Sequence, residues 1–189
     1  MTALLVMLAL HAAPGAEASK KARALAEAAM AQVGQTTSYD PAYVRLAYPN
    51  GDVPLDRGVC TDVVVRAARA VGVDLQLELH RDMSAAFEKY PRLWGLKKAD
   101  ANIDHRRVQN LRTYFSRRGA EVPVTRHWQD YWPGDVVTVT VGDLAHVMVV
   151  STTLAKDEEH FLIVHNIGEG AKLEDRIFEF PITGHYRPL

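Results

Sequence analysis

One stretch of the sequence decides the fold: Asp56-Arg57-Gly58-Val59-Cys60-Thr61-Asp62-Val63-Val64-Val65-Arg66-Ala67, which holds the only cysteine of the chain. Gly58 permits a sharp turn, and apolar residues then recur at helical spacing, which predicts a helix that starts near Cys60 and stops at Gly72. A thiol in the first helical turn faces unpaired N–H groups and the positive end of the helix dipole, which favours thiolate. The position also suits a buried apolar residue, so a nucleophile and a core cysteine are both open.

The composition is that of a globular protein. The chain has 189 residues, enough for one domain with a real core, of which 48% are hydrophobic and 24% charged. The formal net charge is -1, so the chain lacks the excess of basic residues that is typical of nucleic-acid-binding proteins. We therefore expect no nucleic-acid partner. We also expect no cofactor.

The N-terminus has the pattern of an export signal. An apolar run from Ala3 to Leu10 is followed by Ala16-Glu17-Ala18, a small-x-small pattern typical of a cleavage site. We predict a signal peptide over residues 1–18 and an exported bacterial protein, periplasmic or secreted. The run is too short to cross a bilayer, so no integral membrane segment is expected after processing. A buried N-terminal helix is the alternative.

Helix patterns precede strand patterns in the remaining chain, residues 19–189. Besides the cysteine helix, the spacing predicts helices over Ser19–Val33, His80–Tyr90 and His105–Arg118. β-branched alternation then predicts strands over 136–141, 146–151, 161–166, 176–182 and 185–187, with a hairpin turn at Gly142-Asp143. This order predicts a single α+β domain in which helices pack on an antiparallel sheet.

Three side chains can form a catalytic constellation. His146 opens one predicted strand and His165 lies near the end of the next, so antiparallel pairing places both histidines at one end of the sheet. His146 would deprotonate Cys60 for attack on a carbonyl, and His165 would orient His146 as the third member of a triad does. Asn166 is the alternative third residue, because side chains alternate along a strand and one of the two must face away.

The same three residues support two other interpretations. Cysteine with two histidines is a plausible three-ligand zinc set, although no closely spaced ligand motif such as His-Glu-x-x-His is present. Alternatively, the histidines cap strand ends and Cys60 belongs to the core.

Other residues are candidates for substrate binding. Tyr48 belongs to a group of tyrosines ahead of the cysteine helix that could line a cleft or cover the core edge. His105, Arg106 and Arg107 could hold a carboxylate or form a solvated basic helix start. Asp62 lies two residues after the cysteine, and Asn166 ends a strand.

Several of these motifs resemble those of NlpC-type cell-wall cysteine peptidases. The resemblance covers the cysteine helix, the Pro133-Gly134-Asp135-Val136-Val137 strand start, Ala145-His146-Val147-Met148-Val149 and Phe161-Leu162-Ile163-Val164-His165. It implies a papain-like fold, with Cys60 as nucleophile, His146 as base and His165 as the third polar residue.

Nearly the whole chain from about residue 25 also resembles a bacterial family catalogued as domain of unknown function 1287. The matching stretches are Tyr39-Asp40-Pro41, Tyr48-Pro49-Asn50-Gly51-Asp52, Gly58-Val59-Cys60-Thr61-Asp62, Asn102-Ile103-Asp104-His105-Arg106-Arg107, Val164-His165-Asn166-Ile167-Gly168 and Thr183-Gly184-His185-Tyr186-Arg187.

Together the resemblances imply an exported hydrolase of amide bonds, an endopeptidase or amidase acting on peptidoglycan or its stem peptides. The chain departs from the peptidases at the nucleophile, where Val59-Cys60-Thr61-Asp62 replaces their usual Asp-Cys-Ser-Gly. A long insert from about Leu75 to Tyr131 is expected to shape a cleft over the site. A non-catalytic envelope or wall-binding protein on the same fold is the alternative.

Overall fold

The computed structural model describes residues 16–157 and 159–189. The predicted signal peptide lies outside the described residues, except that Ala16, Glu17 and Ala18 form the start of the first helix. The signal peptide and its cleavage therefore stay predictions.

The helices lie mainly in the N-terminal two thirds of the chain. Within the described residues the α-helices are α1 (Ala16–Met30), α2 (Cys60–Ala70), α3 (Leu75–Ala85) and α4 (Val108–Arg117). Short 3-10 helices occupy Phe87–Lys89, Asp104–Arg106 and Trp128–Asp130. None of these helices combines the length and the apolar character that crossing a bilayer requires.

Three of the predicted helices have different bounds in the structure. Helix α1 ends at Met30, so Val33 is exposed instead of completing an apolar face. The helix predicted over His80–Tyr90 begins earlier, because the Asp74 carboxylate accepts a hydrogen bond from Gln76 N and caps α3. The helix predicted from His105 is interrupted by the extended backbone of Arg107, and a 3-10 turn precedes α4.

The strands form a mostly C-terminal sheet. They are β3 (Glu121–Val122), β4 (Val136–Val141), β5 (Leu144–Leu154), β6 (Phe161–Asn166), β7 (Ala171–Glu174) and β8 (Ile182–Tyr186), preceded by β1 (Ser38–Tyr39) and β2 (Arg57–Gly58). Within the described residues, β3 to β8 form an antiparallel sheet in the order β3-β8-β4-β5-β6-β7, and β1 pairs with β2 in parallel. The predicted α+β class, with helices packed on an antiparallel sheet, is confirmed.

The β4–β5 hairpin and β6 match the sequence prediction, but the strand predicted over residues 176–182 is wrong. Val141 pairs with Leu144 across the Gly142-Asp143 turn. The chain turns back soon after Asn166 through Gly168 and Gly170, which have positive φ angles. It forms β7 first, and residues 177–179 then form a turn that leads towards β8. The charged side chains of β7 hid this strand from pattern analysis.

Both faces of the sheet are buried. Val147 and Val149 of β5 join the helices α1 to α4 in one apolar cluster that also contains Cys60. Met148 and Val150 point to the opposite face, where Tyr131 and Ile177 cover them. Because α2 packs against the first of these faces, its N-terminal residue Cys60 is held against the sheet.

Candidate active site

Cys60 is the first residue of α2, and local hydrogen bonds fix this helix start. Val59 has extended backbone angles, and its N–H donates to Asp62 Oδ2 over 2.7 Å. A Cβ atom at Gly58 would lie 2.9 Å from the same carboxylate oxygen and would displace it, so glycine leaves the room that this contact needs. The sequence motif therefore places the thiol at the N-terminus of the helix, as predicted.

A buried ion pair holds the cysteine helix against the preceding loop. Arg106 Nε donates to Asp62 Oδ1 over 3.0 Å, and both side chains are buried. The Arg106 guanidinium also donates to the carbonyl oxygens of Ala42 and Asp40, each over 2.9 Å. Asp62 and Arg106, which we predicted to bind substrate, thus bind each other.

The two candidate histidines are in direct contact. Strand β5 pairs with β6, and His146 Nε2 lies 2.9 Å from His165 Nδ1. The two rings meet edge to face, with centroids 5.0 Å apart. The prediction that strand pairing brings them together is confirmed, whereas their roles in catalysis stay predictions.

A carboxylate that the sequence analysis missed extends this contact. Glu174 Oε2 on β7 lies 2.6 Å from His165 Nε2, so Glu174, His165 and His146 form a chain across three adjacent strands. Arg176 lies 3.6 Å from the same carboxylate oxygen. The signal that could have found Glu174 is the short alternating segment after Gly170, which was assigned to no strand.

The chain of hydrogen bonds determines which ring nitrogens carry protons. Burial lowers the pKa of His146 to about 3 and also lowers the pKa of His165, so both rings are neutral near pH 7. An ionised carboxylate only accepts hydrogen bonds, so His165 Nε2 donates to Glu174 and His165 Nδ1 is an acceptor. His146 Nε2 must then donate to His165, which leaves the lone pair of His146 on Nδ1.

Cys60 lies beside the residue that follows His146. The N–H of Val147 points towards the thiol, and so do the N–H groups of Thr61 and of Cys60 itself. In the part of the chain that the structure describes, no hydrogen bond joins Sγ to His146, and Nδ1 of His146 has no partner.

The His146 ring and the thiol lie on different faces of β5. His146 lies opposite Val139 in the β4–β5 pairing, so its side chain projects from the same face of β5 as Met148. Cys60 packs with Val147 on the other face. The structure therefore brings Cys60 to the start of β5 while the His146 ring lies on the other face of this strand, without a thiol–imidazole bond.

The expected preference for thiolate is wrong for the resting protein. The side chain of Cys60 is buried, and this burial raises the pKa of the thiol to about 11, although the Val147 N–H works in the opposite direction. The loss of solvation therefore raises the pKa of the thiol by more than the N–H groups at the helix start lower it. A neutral thiol and a neutral imidazole coexist near pH 7.

The thiol borders a small cleft of about 240 Å³. Within residues 16–157 and 159–189 its lining comprises Tyr39, Pro41, Val59, Cys60, Trp94, Ile103, Arg106, Arg107, Val108, Gln109, Leu144 and Ala145. Half of these residues come from the predicted insert, which confirms that the insert shapes the cleft. A larger cavity of about 510 Å³ between the helices contains none of the predicted site residues in its lining.

The remaining predicted substrate-binding residues lie away from this cleft lining. Tyr48 is exposed and packs edge-on against His80, with ring centroids 5.1 Å apart. His105 is buried, and burial lowers its pKa to about 4. Asn166 donates to Gly58 O over 2.9 Å, which ties the end of β6 to the turn before Cys60. The alternation along β6 thus turns His165, and not Asn166, towards His146.

The comparison with family models matches residues 26–188 to the family described as "Domain of unknown function (DUF1287)". The chain belongs to this family. It is also 51% identical over 165 residues to a protein of Escherichia coli (strain K12) named "Uncharacterized protein YijF", which covers 87% of this chain and 80% of that relative. No solved structure matches the chain.

We expect the alkylation rate of Cys60 to depend strongly on pH. Because the thiolate is the reactive form and the pKa is raised to about 11, the rate with iodoacetamide should rise about tenfold per pH unit from pH 7 to 9. Urea-unfolded protein is the control, and its profile should bend near the free-thiol pKa of about 8.5. A plateau below pH 7 in the folded protein would reveal a preformed thiolate and contradict this account.

Proposed function

We propose that the protein is a cysteine hydrolase that cleaves amide bonds, with Cys60 as nucleophile and His146 as base. The observation that carries this proposal is the Glu174–His165–His146 chain, which leaves the Nδ1 lone pair of His146 free at the start of β5, the strand against which Cys60 packs. A nucleophile, a base and an orienting group in this order are the parts that acyl transfer requires. The helix layer on an antiparallel sheet further supports a papain-like fold.

The reaction follows from the protonation states. Attack requires the His146 ring to reach Cys60 around the start of β5. His146 Nδ1 then takes the proton of the thiol while Sγ bonds to the carbonyl carbon of the amide. The C–N bond then breaks, and the amine leaves with the proton from His146. Water hydrolyses the resulting thioester, which releases a carboxylic acid and restores the thiol. The N–H groups of Val147 and Cys60 lie close enough to the thiol to stabilise the developing oxyanion.

The substrate class rests on the resemblance to cell-wall peptidases and on the predicted signal peptide. An exported enzyme meets peptidoglycan, whose stem peptides and sugar–peptide junctions supply amide bonds. We therefore propose that the protein is a peptidoglycan endopeptidase or amidase of the periplasm or the cell exterior.

A non-catalytic wall-binding protein is the second candidate. The observation that favours it is the burial of Cys60, which is 4% exposed and has a raised thiol pKa. A zinc site receives less support, because no three His, Cys, Asp or Glu side chains are grouped to hold a metal ion among the described residues.

Cys60→Ala and His146→Ala should each abolish cleavage of muropeptides, because the first removes the nucleophile and the second the base. Digests of purified muropeptides analysed by mass spectrometry would show this, with His127→Ala at an exposed position as the matched histidine control. Circular dichroism and the unfolding midpoint establish that each variant is folded. Cleavage retained by folded Cys60→Ala would refute the nucleophile, and an inactive wild type would favour the wall-binding alternative.

Glu174→Ala should lower kcat and leave KM nearly unchanged, because Glu174 orients the base through His165 without touching substrate. The loss of one hydrogen bond to a charged group predicts a decrease of at least about tenfold. Glu169→Ala, at an exposed position between β6 and β7, removes the same charge and should have no effect. An equal effect of both variants would show that general electrostatics, and not orientation of His165, is responsible.

A further inference from the structure

Two consecutive arginines border the Cys60 cleft, but only one of them is fully bonded. Arg106 donates hydrogen bonds to Asp62, Ala42 O and Asp40 O. The side chain of Arg107 makes no hydrogen bond to any described residue, and its Nη1 atom is buried without a partner. The five N–H donors of a guanidinium make this an unusual state for a side chain that is only 16% exposed.

The surroundings of Arg107 hold the guanidinium in place without supplying hydrogen-bond acceptors for its N–H groups. Its Cζ atom lies 4.0 Å from the centroid of the Trp94 ring, which supports one face of the guanidinium plane. The nearest carboxylate oxygen is Asp104 Oδ1 at 3.5 Å, and this atom also lacks a hydrogen-bond partner. Asp104 is held instead by the N–H of Asp100, so the two charges face each other without forming a hydrogen bond.

The cleft offers one cationic group to a ligand, Arg107, because the charge of Arg106 is neutralised by Asp62. Its described lining contains Arg106 and Arg107 and no aspartate or glutamate. Burial lowers the pKa of Arg107, which indicates that Asp104 and Asp100 offset only part of the lost hydration. An anionic group entering the cleft would accept hydrogen bonds from the part of the guanidinium that remains exposed and would offset its remaining charge.

We propose that Arg107 binds a carboxylate of the substrate inside the cleft beside Cys60. This inference rests on the proposed function and specifies its substrate: a peptide with a free carboxylate close to the amide bond that is cleaved. A planar guanidinium pairs with a carboxylate through two parallel hydrogen bonds, which gives orientation as well as affinity. The volume of about 240 Å³ is smaller than that of a site for a whole drug-sized ligand, so the cleft accommodates one end of the substrate.

Charge discrimination during alkylation tests this proposal without a hydrolysis assay. Iodoacetate and iodoacetamide are similar in size and differ in charge, so the ratio of their rates with Cys60 at pH 8.5 reports an anion site in the cleft. Arg107→Gln should lower this ratio about tenfold and leave the iodoacetamide rate unchanged. Arg107→Lys should retain most of the ratio, and Arg81→Gln, which removes a charge from the exposed face of α3, should retain all of it. An unchanged ratio in folded Arg107→Gln would overturn the proposal.

Binding of succinate to Cys60→Ala separates this inference from the proposed function. The carboxylate site predicts that succinate, and not the neutral succinamide, binds Cys60→Ala in calorimetric titration, and that Arg107→Gln in the same background abolishes binding. Succinate binding by a protein that cleaves no muropeptide would refute the hydrolase and support the carboxylate site. If succinate does not bind, or if Arg107→Gln leaves its binding unchanged, the carboxylate site is refuted even when muropeptides are cleaved.

Discussion

The hydrogen-bond chain from Glu174 through His165 to His146 is the constraint on which the candidate site depends. Its members lie on the adjacent strands β7, β6 and β5, so the register of the sheet determines whether the chain can form. A shift of one residue in either strand pairing would turn a histidine to the other face of the sheet. Since both faces are packed with apolar side chains, such a shift would also bury polar groups without partners.

A second set of contacts fixes the cysteine relative to this chain. Asp62 binds the N–H of Val59 and the guanidinium of Arg106, and Asn166 binds the carbonyl of Gly58. Asn166 directly follows His165 on β6. The strand that positions the orienting histidine therefore also holds the turn before the nucleophile, which couples the two halves of the site through one backbone segment.

Several residues with the chemistry of substrate binding serve this positioning instead. Asp62 and Arg106 neutralise each other in the interior, where an unpaired charge would be expensive. His105 is buried and neutral near pH 7, since burial lowers its pKa to about 4. Arg107 differs from its neighbour because its donors remain free. The contrast between adjacent arginines shows that residue type alone does not distinguish a structural side chain from one available to a ligand.

Local patterns predicted those parts of the fold that short-range interactions determine. The start of α2 follows from Gly58 and the apolar spacing, and the β4–β5 hairpin follows from Gly142-Asp143 between alternating strands. Glu174 was not predicted, because β7 is short and charged and owes its existence to pairing with β6. The raised pKa of Cys60 was not predicted either, because it results from burial of the thiol against the sheet. The strands of this sheet lie far from Cys60 in the sequence, so the residues around the cysteine do not indicate this burial.

The tautomeric state of His146 tests the central claim most directly. Nitrogen-15 NMR at pH 7, with assignment by His146→Gln and His165→Gln, reports which nitrogen of each ring carries a proton. The hydrogen-bond chain predicts that both rings are neutral, with protonated Nε2 and unprotonated Nδ1. A proton on Nδ1 of His146, or a charged His146 ring, would show that the lone pair is not available to Cys60 and would contradict the account.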